Sequence, residues 1–335
     1  MRVCSAVAAV LLAGVTLAAH AQPAWHDESP HRAHYLRVNG ARLHYLDWGG
    51  RGPLLLLIHG WGSNAHVFDD LAPRLTGTYH VVALTLRGFG ESDTVPGNYT
   101  LARYADDVRA TLDSLHAKQS VFAAHSFGGW VLTDLARRYA SRVSEAVYLD
   151  AAFDMHVSDS IVARRPLKRP PLLNPRTRED VTRWLAADFF GMWTPALEAE
   201  YRARPDDEEA RAAQLKRVAA EAERASPDWA SLPVKAMAIC ALATTESEFP
   251  WLTPASPDYA RAKGYVEDER RPRQHAECER FRTSRPGRQT VELPGHHYVF
   301  VAHPDEVARA VLGLRLPNAQ SSAGREVQEA AGLRD

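Results

Sequence analysis

Residues 121–130 read VFAAHSFGGW, and this stretch decides the predicted fold. An apolar run leads into Ser126, which has small residues two positions before it (Ala124) and two positions after it (Gly128), and a helical pattern follows. Small neighbours are needed where a strand and a helix approach each other closely around a strained turn. The pattern predicts a strand, a sharp turn and a helix whose N-terminus favours negative charge developing at the serine. A serine that only caps the helix is the simpler alternative.

Short apolar runs on both sides of this stretch predict a β-sheet. Most are continuous rather than alternating, which is typical of parallel strands covered on both faces. The runs lie at residues 35–38, 41–48, 54–58, 81–84, 121–124, 146–149, 236–242 and 290–293. Helical patterns separate the later runs, at residues 101–115, 128–139 and 306–314. This alternation predicts an α/β fold with a doubly wound, mostly parallel sheet. Asn39-Gly40 predicts a hairpin, so the sheet should begin antiparallel.

One connection is far longer than an ordinary loop between a strand and a helix. About 80 residues, from 153 to 232, separate the sixth and seventh apolar runs, whereas such loops usually have about 2–6 residues. The segment is polar and helix-prone but contains several aromatic residues. We therefore expect a helical cap, or lid, inserted after strand 6 between two parts of one core, residues 34–152 and 233–316. Residues 317–335 are rich in small and charged residues and should form a disordered tail.

The first residues have the pattern of an export signal. Arg2 is followed by an apolar run and then by Ala19-His20-Ala21, a small-x-small triplet. This predicts a signal peptide at residues 1–21, a flexible segment at 22–33, and a periplasmic or secreted protein. No later segment is apolar enough to predict stable membrane insertion.

Export bears on the cysteines of the chain. Removal of Cys4 with the signal peptide leaves Cys240 and Cys278, an even pair in an oxidising compartment. A disulfide is possible there, and so is a pair of free thiols with Cys240 buried as a small hydrophobe. Neither cysteine has a neighbour at metal-ligand spacing, so no metal site is expected.

The charge balance of the chain argues against nucleic acid as a partner. The chain has 335 residues, 45% of them hydrophobic, with Lys+Arg 40 against Asp+Glu 41. A formal net charge of -1 gives no reason to expect nucleic acid as a partner. Four basic residues at the start of the cap are expected to form a solvated face rather than a site for an acidic substrate: Arg164, Arg165, Lys168 and Arg169.

Over residues 34–316 the chain resembles the α/β-hydrolase family. Four blocks carry the resemblance, each after an apolar run or before the final helix: residues 59–62 (HGWG), 87–92 (RGFGES), the turn at Ser126, and 295–298 (GHHY). The resemblance implies that Ser126 is a nucleophile and that the backbone N–H groups of Trp61 and Phe127 form an oxyanion hole. Thr85 departs from the Asp that often precedes the second block, which affects a structural contact and not the chemistry.

The resemblance also implies a late histidine as the base. His297 is our choice, because it follows the last apolar run and precedes apolar residues, much as the family's catalytic histidine does. His296 is its competitor. His303 is assigned to the start of the final helix.

The acid of such a triad has two candidate positions. The usual one follows the seventh strand, where the nearest acidic residues are Glu246 and Glu248. Asp150 instead ends the sixth strand, where some lipases and haloalkane dehalogenases of this family place their acid. A carboxylate among such apolar neighbours is costly unless it has a partner, and a histidine that becomes charged during catalysis is a suitable one. Asp150 is therefore our choice, with Glu246 and Glu248 as alternatives.

These residues predict a serine hydrolase that cleaves a small carboxylic ester through an acyl-enzyme, with no metal or organic cofactor. An amidase, peptidase, lactonase or C–C bond hydrolase would use the same triad. A non-catalytic member of the family that binds a ligand is the alternative of a different class. Epoxide hydrolases and haloalkane dehalogenases need a carboxylate nucleophile where this chain has Ser126.

Overall fold

The computed structural model describes residues 28–95, 99–153, 165–167 and 228–314. The predicted signal peptide, almost all of the predicted cap and the predicted tail lie outside these residues. Within them, no helix combines the length and the apolar character that a membrane span requires.

Eight strands form one sheet in the described part of the chain. They are β1 (Arg32–Val38), β2 (Ala41–Gly49), β3 (Leu54–Ile58), β4 (His80–Leu84), β5 (Ser120–His125), β6 (Val143–Leu149), β7 (Lys235–Leu242) and β8 (Gln289–Pro294). Their order across the sheet is β1-β2-β4-β3-β5-β6-β7-β8. β2 is antiparallel to both of its neighbours, and every other pair is parallel. The carboxyl ends of β5 to β8 therefore meet at the same edge.

Seven α-helices accompany the sheet in the described residues. They are α1 (Leu101–Ser114), α2 (Phe127–Arg138), α3 (Thr245–Glu248), α4 (Tyr259–Tyr265), α5 (Arg271–Thr283), α6 (Val299–Ala302) and α7 (Pro304–Gly313). A π-helical turn, Val266–Arg270, joins α4 to α5. The first two helices pack against each other, and α5 packs on β7 and β8.

The central strands are apolar on both faces because each face is covered. Along β3, Leu56 and Ile58 belong to one core cluster, whereas Leu55 and Leu57 belong to a second cluster on the other face of the sheet. All six residues of β5 are buried. Continuous burial of this kind explains why these runs do not alternate in polarity.

The predicted fold is confirmed: an α/β structure with a mostly parallel sheet. The predicted hairpin is also present, because Val38 pairs with Ala41 across Asn39 and Gly40, which have φ values of 47° and 79°. Both positive values suit a tight turn between antiparallel strands.

Two features differ from the expectation. β1 begins at Arg32, inside the segment 22–33 for which flexibility is predicted, and Ser29 accepts a hydrogen bond from the Trp48 indole at 2.9 Å. Four helices, α3 to α6, have no counterpart among the predicted elements. In α5 only Cys278 and Phe281 are buried, so this helix lacks the apolar periodicity by which a helix is recognised in sequence.

Cys240 and Cys278 form a disulfide, which settles the alternative left open above. The bond joins β7 to α5 across 38 positions of sequence. Closing a loop of that length in the unfolded chain stabilises the folded state by roughly 4 kcal/mol in the chain-entropy account. The bond therefore holds α5 on the sheet, although this helix buries few side chains.

Candidate active site

Ser126 occupies the sharp turn between β5 and α2. Its φ is 49° and its ψ is -119°, a conformation that residues other than glycine rarely adopt. Such a conformation costs about 1–3 kcal/mol and persists where the surroundings enforce it. Here the backbone N–H of Gly129 donates to Ser126 O at 2.8 Å, which begins the helix directly after the serine.

Gly128 is required by the close approach of α2 to the end of β3. A Cβ atom at this position would lie 2.6 Å from the carbonyl oxygens of both Ile58 and His59. Gly129 is restricted in the same way, because its Cβ would lie 2.5 Å from the Cβ of Ala151. The small residues of the quoted stretch therefore bring the serine turn against two neighbouring strand ends.

The loop of residues 59–62 lies beside the serine. A Cβ at Gly60 would be 2.7 Å from His125 Nδ1 and 3.0 Å from the Cβ of Ser126, so glycine suits this close approach. The His59 imidazole holds the loop, because its Nδ1 donates to Gly60 O at 2.7 Å and its Nε2 accepts from Leu86 N–H at 2.9 Å. The Trp61 ring is 39% exposed and meets the Phe127 ring edge-on at 5.3 Å.

Asp150 and His297 meet at the carboxyl edge of the sheet. The imidazole Nδ1 lies 2.6 Å from Asp150 Oδ2. The second carboxylate oxygen, Oδ1, accepts a hydrogen bond from Ala241 N–H at 2.9 Å, and the Asp150 N–H donates to Ile239 O at 2.7 Å. Asp150, which follows β6, is thus anchored on β7 through its backbone N–H and Oδ1. Its other carboxylate oxygen, Oδ2, faces His297, which follows β8.

The other candidate acids have different partners. Glu246 is exposed and accepts a hydrogen bond from the Tyr259 hydroxyl at 2.7 Å, which lowers the pKa of this carboxyl. Glu248 is buried, and its Oε1 lies 2.5 Å from the Arg165 guanidinium. The structure brings Asp150, and neither of these two, onto His297.

The other candidate histidines are placed as follows. His296 lines the same cavity as His297, and its ring stacks on Tyr298 at 6.2 Å. His303 precedes α7, and its Nε2 donates to Pro294 O at 2.7 Å.

The block 87–92 is structural. Arg87 forms an ion pair of 2.5 Å with Asp107 of α1, and both side chains are almost fully buried. Thr85 stands in place of the usual Asp, and its hydroxyl accepts from Ala65 N–H at 3.2 Å and contacts His44 Nδ1 at 3.0 Å. Where the family usually has Asp, this chain therefore has the Thr85 hydroxyl in contact with the His44 imidazole.

His125 is a site residue that the sequence analysis did not identify. Its ring is fully buried and packs on the His297 ring at 4.5 Å, and its Nε2 donates to the backbone oxygen of His297 at 3.1 Å. Burial, followed by the proximity of His297, holds the pKa of His125 well below the usual value of 6.5, so the imidazole is neutral. The signal in the sequence is its place directly before Ser126, just after the predicted strand at residues 121–124.

Ser126, Asp150 and His297 line one cavity of about 300 Å³. Its other walls include the disulfide and a set of polar and charged side chains: Arg165, Ser247, Glu248, Arg270, Gln274 and Glu277. A hydroxyl, an imidazole and a carboxylate in one cavity are the groups that acyl transfer requires. Arg165 was expected on a solvated face, but it lines this cavity and pairs with Glu248.

Three residues outside the cavity are candidate metal ligands. His31, His66 and Asp69 have potential ligand atoms within 4.8 Å of one another. His66 Nδ1 lies 3.0 Å from Asp69 Oδ2, so a hydrogen bond joins two of them. None of the three lines the cavity that holds Ser126.

Comparison with known proteins shows which family the chain is similar to. The sequence profile described as "Alpha/beta hydrolase family" matches residues 55–310. The 2-heptyl-3-hydroxy-4-quinolone dioxygenase AqdC2 of Rhodococcus erythropolis is 33% identical over 139 residues, which cover 40% of this chain and 52% of that protein. Epoxide hydrolase 4 of Homo sapiens is 34% identical over 121 residues, which cover 35% of this chain and 33% of that protein. The chain thus spans about half of the first relative's length and a third of the second's.

A solved structure agrees over a larger share of the chain. The crystal structure of E-2-(acetamidomethylene)succinate hydrolase is similar with a TM-score of 0.60 and 20% identity, over 85% of this chain and 98% of the other. At that identity the likeness supports the fold alone. Because the family profile matches more than half of the chain, the protein belongs to the alpha/beta hydrolase family.

Proposed function

We propose that the protein is a serine hydrolase that cleaves small carboxylic esters through an acyl-enzyme. The observation that carries this proposal is the hydrogen bond of 2.6 Å between His297 Nδ1 and Asp150, in the cavity that Ser126 also lines. A proton held on Nδ1 by the carboxylate leaves the lone pair on Nε2, which is the atom that must accept the serine proton.

The reaction proceeds in two displacements. The Ser126 hydroxyl attacks the ester carbonyl while its proton moves to His297 Nε2, and the negative charge collects on the carbonyl oxygen. The N–H groups of Phe127 and Trp61 stabilise that oxyanion, and each such donor contributes about 3 kcal/mol in comparable sites. His297 then protonates the departing alcohol, and a water deprotonated by the same imidazole releases the acid.

The strained turn supports the assignment of Ser126 over a simple capping role. A capping serine bonds the backbone N–H groups of the first helical turn through its hydroxyl, and in the described part of the chain the Ser126 side chain makes no such bond. Its positive φ is instead typical of a turn that directs the side chain away from the sheet.

A fluorophosphonate probe tests this proposal. Nucleophilic attack by an activated serine on phosphorus, with loss of fluoride, should leave one covalent adduct, and mass spectrometry of the digested protein should locate it on Ser126. Ser247 lines the same cavity but is committed to the cap of α3, so it should remain unmodified. If the folded protein is not labelled by the probe, the result would favour the alternative function, a family member that binds a ligand without turnover.

A substrate series separates esters from the other substrates that the same triad could attack. We expect hydrolysis of short 4-nitrophenyl esters and at least about a hundredfold lower kcat/KM for the matching 4-nitroanilides, because an amine is a poorer leaving group than a phenol. An anilide or a lactone hydrolysed faster than every ester would instead assign an amidase or a lactonase.

We also propose that the protein is exported. The sequence pattern of residues 1–21 motivates this, and the Cys240–Cys278 disulfide suits an oxidising compartment. Protein recovered from the native host should begin at Gln22. An intact residue 1 on the mature protein would contradict cleavage.

A further inference from the structure

One wall of the cavity carries more hydrogen-bond donors than its own acceptors use. Glu248 is approached by two guanidinium groups, that of Arg165 at 2.5 Å and that of Arg270 at 3.5 Å. The other acidic residue of this wall, Glu277, forms an ion pair with Arg280. One carboxylate therefore serves two arginines.

Arg270 is the less satisfied of the two arginines. Its side chain is 18% exposed, and its Nε, the atom that lies 3.5 Å from Glu248 Oε2, is shielded from solvent and makes no hydrogen bond among the described residues. A buried donor whose partner lies this far away is only weakly satisfied, and the energetic cost is larger when the group is charged. A cavity-facing guanidinium in this condition is suited to an anionic ligand.

Gln274 adds neutral donors to the same wall. Its Oε1 accepts a hydrogen bond from Ala243 N–H at 2.8 Å. That bond fixes the orientation of the amide, because only its oxygen can accept, and it leaves the NH₂ group for the cavity that Gln274 lines. Arg270 and Gln274 thus both present donors there.

The helix that carries these residues explains why they face the cavity together. Arg270, Gln274 and Cys278 are spaced by four residues, which places them along one side of the helix. Cys278 is tied to β7 by the disulfide, so this side of α5 faces the sheet edge where Asp150 and His297 meet. Arg270 ends the π-helical turn that precedes α5, and such turns often occur at functional sites.

We propose that Arg270 and Gln274 bind a carboxylate on the substrate, so that the preferred substrates are esters that carry a free carboxylate group. This rests on the proposed function, because it places the carboxylate in the cavity where Ser126 would attack the ester. The guanidinium supplies charge and paired donors, the amide NH₂ supplies a further donor, and Arg165 keeps the Glu248 carboxylate neutralised nearby.

Matched substrates test the preference. The 4-nitrophenyl monoester of glutaric acid has a free carboxylate, and the 4-nitrophenyl ester of glutaramic acid replaces it by a neutral amide of similar size. We expect kcat/KM to be at least about tenfold higher for the acid, in line with the strength of a charge-assisted hydrogen bond. Arg270→Gln should remove this preference by lowering kcat/KM for the acid to about that for the amide.

Arg261→Gln is the control with the same change of charge. Arg261 is exposed on α4, pairs with Asp258 and does not line the cavity, so its replacement should keep the preference. Equal rates for the two esters in the unmodified protein, or a preference that persists in Arg270→Gln, would overturn the proposal.

Binding of glutarate separates this inference from the proposed function. Calorimetry on the intact protein should show glutarate binding that is lost in Arg270→Gln and kept in Arg261→Gln. If glutarate binds in this way but no ester is hydrolysed, the carboxylate site stands and the esterase assignment fails. If esters are hydrolysed without a preference and glutarate does not bind, the esterase stands and the carboxylate site fails.

Discussion

Replacing Ser126 by alanine should lower kcat for 4-nitrophenyl ester hydrolysis by at least about 10⁴-fold, because no acyl-enzyme can then form. The substitution removes one oxygen atom at a partly exposed position and keeps the Cβ, so the turn should remain folded. Release of 4-nitrophenolate under saturating substrate measures the effect, and the initial burst expected of the unmodified protein should disappear.

Ser247→Ala is the matched control for this substitution. Ser247 lies in the same cavity, but its hydroxyl accepts a hydrogen bond from the Thr244 N–H at 2.9 Å. This hydroxyl has no role in the proposed reaction. Its kcat should stay within a few-fold of that of the unmodified protein. Near-normal turnover by folded Ser126→Ala protein, with loss in Ser247→Ala, would place the nucleophile elsewhere in the cavity.

The sheet was predictable because its central strands are buried on both faces. Runs such as residues 54–58 and 121–124 are continuous in apolar residues, and the structure places alternate side chains of each in two different core clusters. Helix α5 was not predictable by the same route. It is held by the disulfide and a few buried side chains, and a mostly polar helix of that kind has no apolar period to recognise.

The candidate site was predictable as far as it rests on local pattern. Ser126 is marked in the sequence by its small neighbours, and Asp150 is marked by its position at the end of an apolar run. The packing of His125 on His297 and the convergence of Arg165 and Arg270 on Glu248 depend on contacts between distant segments. No spacing in the sequence reports such contacts. The pairing of Cys240 with Cys278 likewise required the distance between β7 and α5.

The assignment of Asp150 as the acid predicts a specific failure in Asp150→Asn. Asp150 has a φ of 43°, which Asn tolerates, so the backbone should be preserved. Ala241 N–H donates to Oδ1, and an asparagine would keep its oxygen there. Its NH₂ group would then face His297 Nδ1, which must accept that hydrogen bond. The imidazole proton would be driven to Nε2, the atom that has to receive the Ser126 proton.

We therefore expect kcat to fall by about 10³- to 10⁴-fold in Asp150→Asn, a loss typical of a triad whose histidine is held in the wrong tautomer. Ester hydrolysis measures it, with Glu246→Gln and Glu248→Gln assayed beside it on a neutral ester. Both glutamates have partners other than His297 and should keep kcat within a few-fold. A Glu248→Gln protein that is folded and inactive, beside an active Asp150→Asn protein, would transfer the role of the acid to Glu248. The hydrogen bond to Ala241 makes the outcome selective, because it fixes which end of the asparagine amide meets the imidazole.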